Sequence, residues 1–364
     1  MKTLTSLLLS ISFCLISSST VAYQFNVIAE DLDFPWSIAF LPNGDLLVTE
    51  LGGNLRRVSL EGEVSEPIAG VPVVYRMSQG GLFDVLLHPD FERNQTIYLS
   101  FAHGRLDDNA TRIVRARLVG DQLVDSKDIF TVTPSKNTPV HYGGRMRFLP
   151  DGHLLLTTGD GFDFREAAQD KHSLLGKTIR ITDDGEFPAT NPFVDADGNP
   201  SPVWTFGHRN PQGLAIAADG TVYLHEHGPR GGDETNVLKR GANYGWPAIT
   251  HGVDYNGAYV SPFSAAEGME QPLTVWVPSI GPSGLAVYEG ERFPDWQGDL
   301  FVGALVDTEV RRLDMEDGEV IGETSLFTDE LGGRRVRDVR TNDGYLYIVT
   351  DGPNGQIIRI EPSS

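Results

Sequence analysis

Between Gly207 and Pro247 the chain reads Gly-His-Arg-Asn-Pro-Gln-Gly, then a strand-like run, then Glu-His-Gly-Pro-Arg-Gly-Gly-Asp-Glu-Thr-Asn, and finally Asn-Tyr-Gly-Trp-Pro. Arg209 is a permanent cation with a forked set of donors, suited to polarising a carbonyl or holding a carboxylate. The loop from His227 through Gly228 and Pro229 to Glu234 adds carbonyls and carboxylates. Calcium gathers roughly six to eight such oxygens, whereas magnesium demands stricter octahedral geometry. The stretch therefore suits an anion beside a hard cation.

Three other places carry comparable chemistry: Gln79-Gly80-Gly81-Leu82, His141-Tyr142-Gly143-Gly144-Arg145, and Arg334-Arg335-Val336-Arg337. Histidine titrates near pH 6.5, which suits a general base, and the glycines after His141 permit close backbone approach. On a strand Arg335 and Arg337 point to one side. Two like charges so placed favour a shared anion. Each residue also has a plainer reading: a glycine turn at Gln79, an exposed turn histidine at 141, a structural ion pair at Arg209.

The elements that must position these residues repeat along the chain. Ser37-Ile38-Ala39-Phe40-Leu41-Pro42-Asn43-Gly44-Asp45-Leu46-Leu47-Val48 is a strand, a turn and a strand. The pattern returns near Phe83, Met146, Leu214, Leu285 and Val339, making six copies about 57 residues apart on average, longer than a compact blade of about 40–45 residues. A third strand follows most copies. Glycine and proline are spread throughout, and apolar residues alternate or come in short β-branched runs, an all-β signature. A six-bladed β-propeller with loop insertions fits, as one domain over residues 23–364. The last copy ends after three strands, so Phe25 to Ala29 is expected to close the ring as the outermost strand of that blade. Glu166 to Leu175 is the sole modest helical candidate. In a propeller the loops at one end of the channel form the ligand site, and all four polar places precede an inner strand.

Lys2, the apolar run Leu7 to Ile16 and the small-residue exit Thr20-Val21-Ala22 form a secretory signal peptide, residues 1–22, too short to span a bilayer as a stable helix. Cys14 lies within it, preceded by Phe13 where a lipoprotein signal needs a small residue, so a mature chain holds no cysteine and must rely on core burial. The expected address is the periplasm. Fifty acidic residues face 29 basic ones, a formal charge of −21. That balance disfavours nucleic acid and membrane insertion, and any anionic ligand needs a locally basic pocket. Phosphate loops, catalytic serine motifs and Cys/His zinc sets are lacking. Asp195-Ala196-Asp197-Gly198-Asn199 has Phe206 where a calcium loop needs glutamate and is read as a turn. His88, His153, His172 and His251 lack partners at metal spacing.

Taken together, Gly207 to Gly213, Glu226-His227-Gly228-Pro229 with Asp233-Glu234, Asn243-Tyr244-Gly245-Trp246-Pro247 and Arg335-Val336-Arg337-Asp338-Val339 resemble the soluble PQQ-dependent aldose sugar dehydrogenases, a glucose/sorbosone dehydrogenase-like family of six-bladed propellers. The similarity runs from about Phe34 to Ile360. It implies oxidation of aldose sugars, mono- or disaccharides, with PQQ and calcium as cofactors, an electron acceptor it does not name, and a monomer or homodimer. By the same resemblance His141 is the base, Arg209 polarises the quinone and Asn210 helps hold the ring. Gln79 and Asp160 contact sugar hydroxyls or orient His141. The carbonyls of Gly228 and Pro229 hold one calcium, Glu234 and Tyr244 a second, structural one, and Arg335, Arg337 and Tyr255 grip PQQ. Val306 departs from the pattern, which has a lysine there, and His227 stands where glutamine is common. A calcium-dependent propeller lactonase and a non-catalytic carbohydrate- or protein-binding propeller are the competing readings; three arginines converging on one anion count against the first, while Val306 adds weight to the second, which predicts no need for His141.

Overall fold

The computed structural model describes residues 23–363, so the predicted signal peptide lies outside it. Twenty-three strands form six sheets arranged as a six-bladed β-propeller. Each inner strand begins one of the six repeats. They are Pro35–Phe40, Leu82–Leu87, Met146–Phe148, Pro211–Ile216, Pro282–Val287 and Val336–Asn342. Each pairs antiparallel with the strand that follows it.

Antiparallel pairing has a direct consequence for function. The start of every inner strand and the end of every second strand lie on the same face. The loops after Glu50, Thr158, Glu226, Ala304 and Thr350 therefore meet the residues that precede the inner strands. Five of the six inner strands also carry a register shift near their start, between Pro35 and Ser37, Leu82 and Val85, Pro211 and Gly213, Pro282 and Leu285, and Val336 and Asp338. An extra residue there bends the strand and re-aims its side chains.

Ring closure follows the expected route. Tyr23–Leu32 pairs antiparallel with Gly355–Pro362, Tyr23 against Pro362 and Phe25 against Ile360, as the outer strand of the sixth blade. Tyr23 and Phe25 pack edge-on against Phe327, which ties this strand to a core shared by the fifth and sixth blades. The other clusters likewise draw on neighbouring blades: Leu47 and Leu55 meet Leu82 and Leu99. Burial between blades holds each sheet against the next.

Two sequence expectations are corrected. The helix expected over Glu166–Leu175 is a single 3-10 turn, Arg165–Ala168. Lys177 is buried and donates to the carbonyls of Ala167 (2.8 Å), Ala168 (3.0 Å) and Leu175 (2.6 Å), oxygens that a continuing helix would have given to its own amides. Glu234, expected in a loop, sits on the strand Asp233–Val237 directly opposite Glu226. Asp195 to Asn199 is a turn, with Asp195 Oδ1 accepting the Asn199 N–H at 2.8 Å.

Candidate active site at the channel mouth

His141 occupies a left-handed backbone conformation, φ 53°, uncommon for a non-glycine residue. The backbone around it is tight. A Cβ on Gly143 would meet the Thr157 carbonyl oxygen at 2.5 Å, and one on Gly159 would meet that of His141 at 2.3 Å, so only glycine fits at either position. Gln79 Oε1 accepts the His141 backbone N–H at 2.8 Å across the blade boundary, while the rest of Gln79 is exposed.

The buried imidazole is oriented by Asp160, which follows the second strand of the same blade. His141 Nδ1 lies 2.7 Å from Asp160 Oδ1, an oxygen that also accepts the Phe162 N–H at 2.7 Å. Asp160 Oδ2 takes the indole N–H of Trp246 at 2.8 Å. With Nδ1–H donated to the carboxylate, Nε2 carries the free lone pair. Burial pushes the His141 imidazolium below its ordinary pKa; Asp160 pulls the other way without cancelling this, and Arg209 adds to the lowering. Burial alone would raise the Asp160 pKa, yet the hydrogen bond and charge of His141, with Arg209, hold it below the usual carboxylate value. The pair is a neutral base backed by a charged orienter at neutral pH.

Arg209 is buried beside this dyad. Its backbone N–H goes to Glu226, whose other carboxylate oxygen holds His208 Nδ1 at 2.7 Å. Arg209 Nη1 donates to the carbonyl of Gly228 at 2.6 Å and to that of His227 at 3.2 Å, and its guanidinium lies 5.3 Å from the Trp246 ring. Asn210 Oδ1 accepts from Gln212 Nε2 at 3.2 Å. Tyr255 is exposed, 3.4 Å from Arg209 Nη2 through its hydroxyl, and stacks on Phe162 with ring centroids 6.2 Å apart. These rings form a wall beside His141.

Two adjoining cavities open over this face. One of about 340 Å³ is lined by Gln79, Asn210, Arg335 and Arg337 among others. The other, of about 720 Å³, is lined by Pro229, Tyr255, Val306 and Arg335. Arg335 and Arg337 do reach one side, and they already share an anion from the chain itself: both bind Asp351, Arg335 Nε at 3.1 Å and Arg337 Nη2 at 3.2 Å from Oδ2. Arg335 itself lies just before its strand. Burial raises the Asp351 pKa less than the two guanidinia lower it, so it stays ionised. The trio thus contributes one net positive charge, not two.

The remaining cation chemistry lies behind Gly228. Asp233 Oδ1 accepts the Gly228 N–H and Ser279 Oγ–H, both at 2.9 Å, and Oδ2 accepts the Gly281 N–H at 2.9 Å, which fixes the Gly228 loop. Glu226 and Glu234 face each other on adjacent strands, a destabilising placement for like charges. Burial, then the charges of Glu226 and Asp233, push the Glu234 carboxyl up to about 8. A small cavity of about 20 Å³ lined by Glu226, Glu234, Gly232 and Tyr244 adjoins them. The Tyr244 hydroxyl is committed, donating to the Val237 carbonyl at 2.7 Å and accepting the Lys239 N–H at 2.8 Å, so this residue has only its carbonyl to offer an ion. Among the described residues no three His, Cys, Asp or Glu side chains converge as a metal cluster.

Sequence reasoning passed over Asp351 and gave no role to Trp246, Glu226, Asp233 or Phe162. Trp246 and Glu226 stand in the most distinctive motifs. Asp351 carries no local signal beyond its place after the strand that pairs with Val336.

A model of the Glucose / Sorbosone dehydrogenase family matches residues 32–359. Aldose sugar dehydrogenase YliI of Escherichia coli K12 is 41% identical over 345 residues, covering 92% of this chain and 92% of that protein. Quinoprotein glucose dehydrogenase B of Acinetobacter calcoaceticus is 30% identical over 315 residues, 78% of this chain and 64% of that protein. The crystal structure of the soluble aldose sugar dehydrogenase from Escherichia coli in the apo-form aligns with a TM-score of 0.89 at 40% identity, covering 94% of this chain and 100% of that one. The PQQ-bound form of aldose sugar dehydrogenase from Streptomyces coelicolor gives 0.77 at 30% identity, covering 94% and 99%.

Proposed function

Because the chain belongs to the glucose/sorbosone dehydrogenase family, we propose that it is a periplasmic, PQQ- and calcium-dependent enzyme that oxidises the anomeric hydroxyl of aldose sugars to lactones, with His141 as the base. The observation that carries this reading is the buried His141–Asp160 dyad, its Nε2 free, beside the buried Arg209 at the channel mouth.

The donor set fits a flat anion bearing carboxylates. Arg335, Arg337 and Asn210 line one cavity at the mouth and Tyr255 the adjoining one, with Arg209 3.4 Å from the Tyr255 hydroxyl. When bound, PQQ supplies the two-electron acceptor for hydride from the anomeric carbon. His141 Nε2 takes the proton of the anomeric hydroxyl, and Asp160 stays charged to steady the imidazolium that forms. Gln79 fixes the His141 backbone and turns its amide nitrogen to sugar hydroxyls. Arg209 holds a desolvated cation where negative charge grows in the transition state, which it stabilises more than the ground state. Phe162 and Tyr255 shield the dyad from water.

The carbonyls of Gly228 and Pro229 are the ligands this chain offers to a cofactor-side calcium. Gly228 is engaged by Arg209, so the ion and the guanidinium must share that oxygen or Arg209 must turn towards the cofactor. Glu234 and the Tyr244 carbonyl suit a second ion, whose charge would relieve the Glu226–Glu234 opposition.

Reconstitution of the purified protein with PQQ and calcium, followed by dye reduction with several aldoses, tests the proposal. Sugar-dependent dye reduction is expected. Absence of activity together with an unchanged PQQ spectrum on adding sugar would remove the dehydrogenase reading.

A further inference from the structure

All six inner strands run away from the active-site face, and their far ends surround another cavity, of about 610 Å³, at the opposite mouth of the channel. Its walls are apolar at Phe40, Phe148, Ile216 and Val287, and its polar groups include two guanidinia, Arg147 and Arg340. Arg340 gives Nε to Asp338 at 2.9 Å and Nη2 to Asp84 at 3.1 Å and Ser37 at 3.0 Å. Its Nη1 makes no hydrogen bond among the described residues. Arg147 donates Nη1 to the Met146 carbonyl at 2.6 Å and, more weakly, to Asp84 at 3.4 Å, leaving Nε and Nη2 without partners among the described residues.

Between this cavity and the active site lies Arg145, stacked 3.9 Å from the Trp36 ring and bound to Asp338 at 3.0 Å, with its buried Nη1 unsatisfied. The cluster thus holds three guanidinia against two carboxylates, Asp84 and Asp338. Asp84 is fully engaged, Oδ1 by Ser37 and Arg340, Oδ2 by the Met146 N–H and Arg147. With Glu289 on the cavity wall the charges stand three against three, but Glu289 pairs with none of the three arginines, which leaves the free nitrogens of Arg147 and Arg340 without an anion. Among the described residues Glu289 is the only acid on the cavity wall; its carboxylate, which accepts the Ala218 N–H at 2.6 Å, disfavours a polyanion and limits a ligand to one negative charge.

We propose that this distal cavity binds an apolar monoanion, a carboxylate on a hydrocarbon body, with its head on Arg147 and Arg340 and its body along Phe40, Phe148, Ile216 and Val287. Aliphatic and aromatic acids share that chemistry. Nothing in the oxidation of sugar uses this site, so the inference stands apart from the proposed activity.

The test uses PQQ- and calcium-loaded protein, which keeps the probe out of the active-site mouth. Calorimetric titration with octanoate should show one saturable site per chain, with octylammonium silent. Benzoate distinguishes an aromatic from an aliphatic preference, and either supports the site. Arg147→Gln should weaken octanoate by about tenfold or more, the cost of losing a charge-assisted pair. A diazirine-bearing carboxylate, photolysed on the unmutated protein and mapped by mass spectrometry, keeps the test independent of that variant's folding; it should label the far ends of the inner strands. Absence of octanoate binding, equal binding of octylammonium, unchanged affinity in a folded Arg147→Gln variant, or labelling around Tyr255 and Val306 would each overturn the proposal.

Discussion

Replacing Asp160 with asparagine is the sharpest perturbation of the dyad, because each carboxylate oxygen accepts at least one N–H. Oδ1 faces His141 Nδ1 and the Phe162 amide, and Oδ2 faces the Trp246 indole. An asparagine amide cannot accept on both sides. With its oxygen towards His141, its NH2 confronts the Trp246 N–H. Turned round, its NH2 donates to Nδ1 and confronts the Phe162 N–H, which forces the tautomer whose Nε2 is protonated and useless as a base. Either arrangement removes the base or the charge that steadies the imidazolium. General-base catalysis contributes about 10²–10⁴-fold, so kcat is expected to fall about 10³-fold, ~4 kcal/mol on the barrier. PQQ affinity, measured by fluorescence titration, should stay within about threefold, since Asp160 is not among the groups holding cofactor. The pH dependence carries independent information. In the native protein the base must be unprotonated and burial has lowered its pKa, so turnover should be level at neutral pH and fall only on acidification through that lowered value. Loss of Asp160 removes an upward pull on His141, so any residual acid limb moves to lower pH. Native Asp160 has a depressed pKa, so its contribution to stability is present above the ordinary carboxyl range and is lost as pH falls through its folded value; the variant should lack that acid-side loss. Dye-linked turnover within about threefold of native, with an unshifted profile, would refute the reasoning.

Glu234, pushed up to about 8, should make the metal-free protein lose stability as pH rises from the unfolded carboxyl range through that value; calcium should therefore raise the Tm more at pH 8.5 than at pH 5.5, and Glu234→Gln should abolish the difference. Thermal melts with and without calcium check this, and an equal calcium effect at both pH values counts against it. Val306 is 62% exposed at the cavity rim, so Val306→Lys adds a surface cation that should tighten PQQ by up to about fivefold, ~1 kcal/mol. PQQ titrations at low and high salt should show that gain shrinking with salt. Asp351→Asn should likewise tighten PQQ by freeing the charge of Arg335 and Arg337, yet lower the Tm because Arg337 loses its partner; weaker PQQ binding would show that Asp351 positions the arginines rather than offsetting them.

The blade repeats were readable because each inner strand carries its own alternation and turn, which are local properties. The closing strand was readable from the arithmetic of a last repeat one strand short. His141 and Arg209 stood out for a related reason, since their places before inner strands fix the face they occupy. What could not be read was pairing between separate turns of the chain. Asp351 meets Arg335 and Arg337 only because the hairpin register sets Val336 against Thr350. Trp246 reaches Asp160 from the neighbouring blade, 86 positions on. The short helix failed because Lys177, a later residue, takes the carbonyls that local propensity assigns to the helix. Glu234 was misplaced because Gly228, Gly231 and Gly232 mask the strand that starts right after them.

The closing strand has a consequence for biosynthesis. Asn26 and Glu361, joined by a hydrogen bond at 3.0 Å, stand 335 positions apart. The earlier segment must wait for one made 335 positions later. Until then Tyr23 and Phe25 lack the Phe327 platform, and both edges of the unclosed ring remain open to pairing with other chains. Contacts of such separation are slow to form. Without Gly355–Pro362 the strand Tyr23–Leu32 has no partner, so closure of the ring depends on a strand from the far side of the propeller sequence.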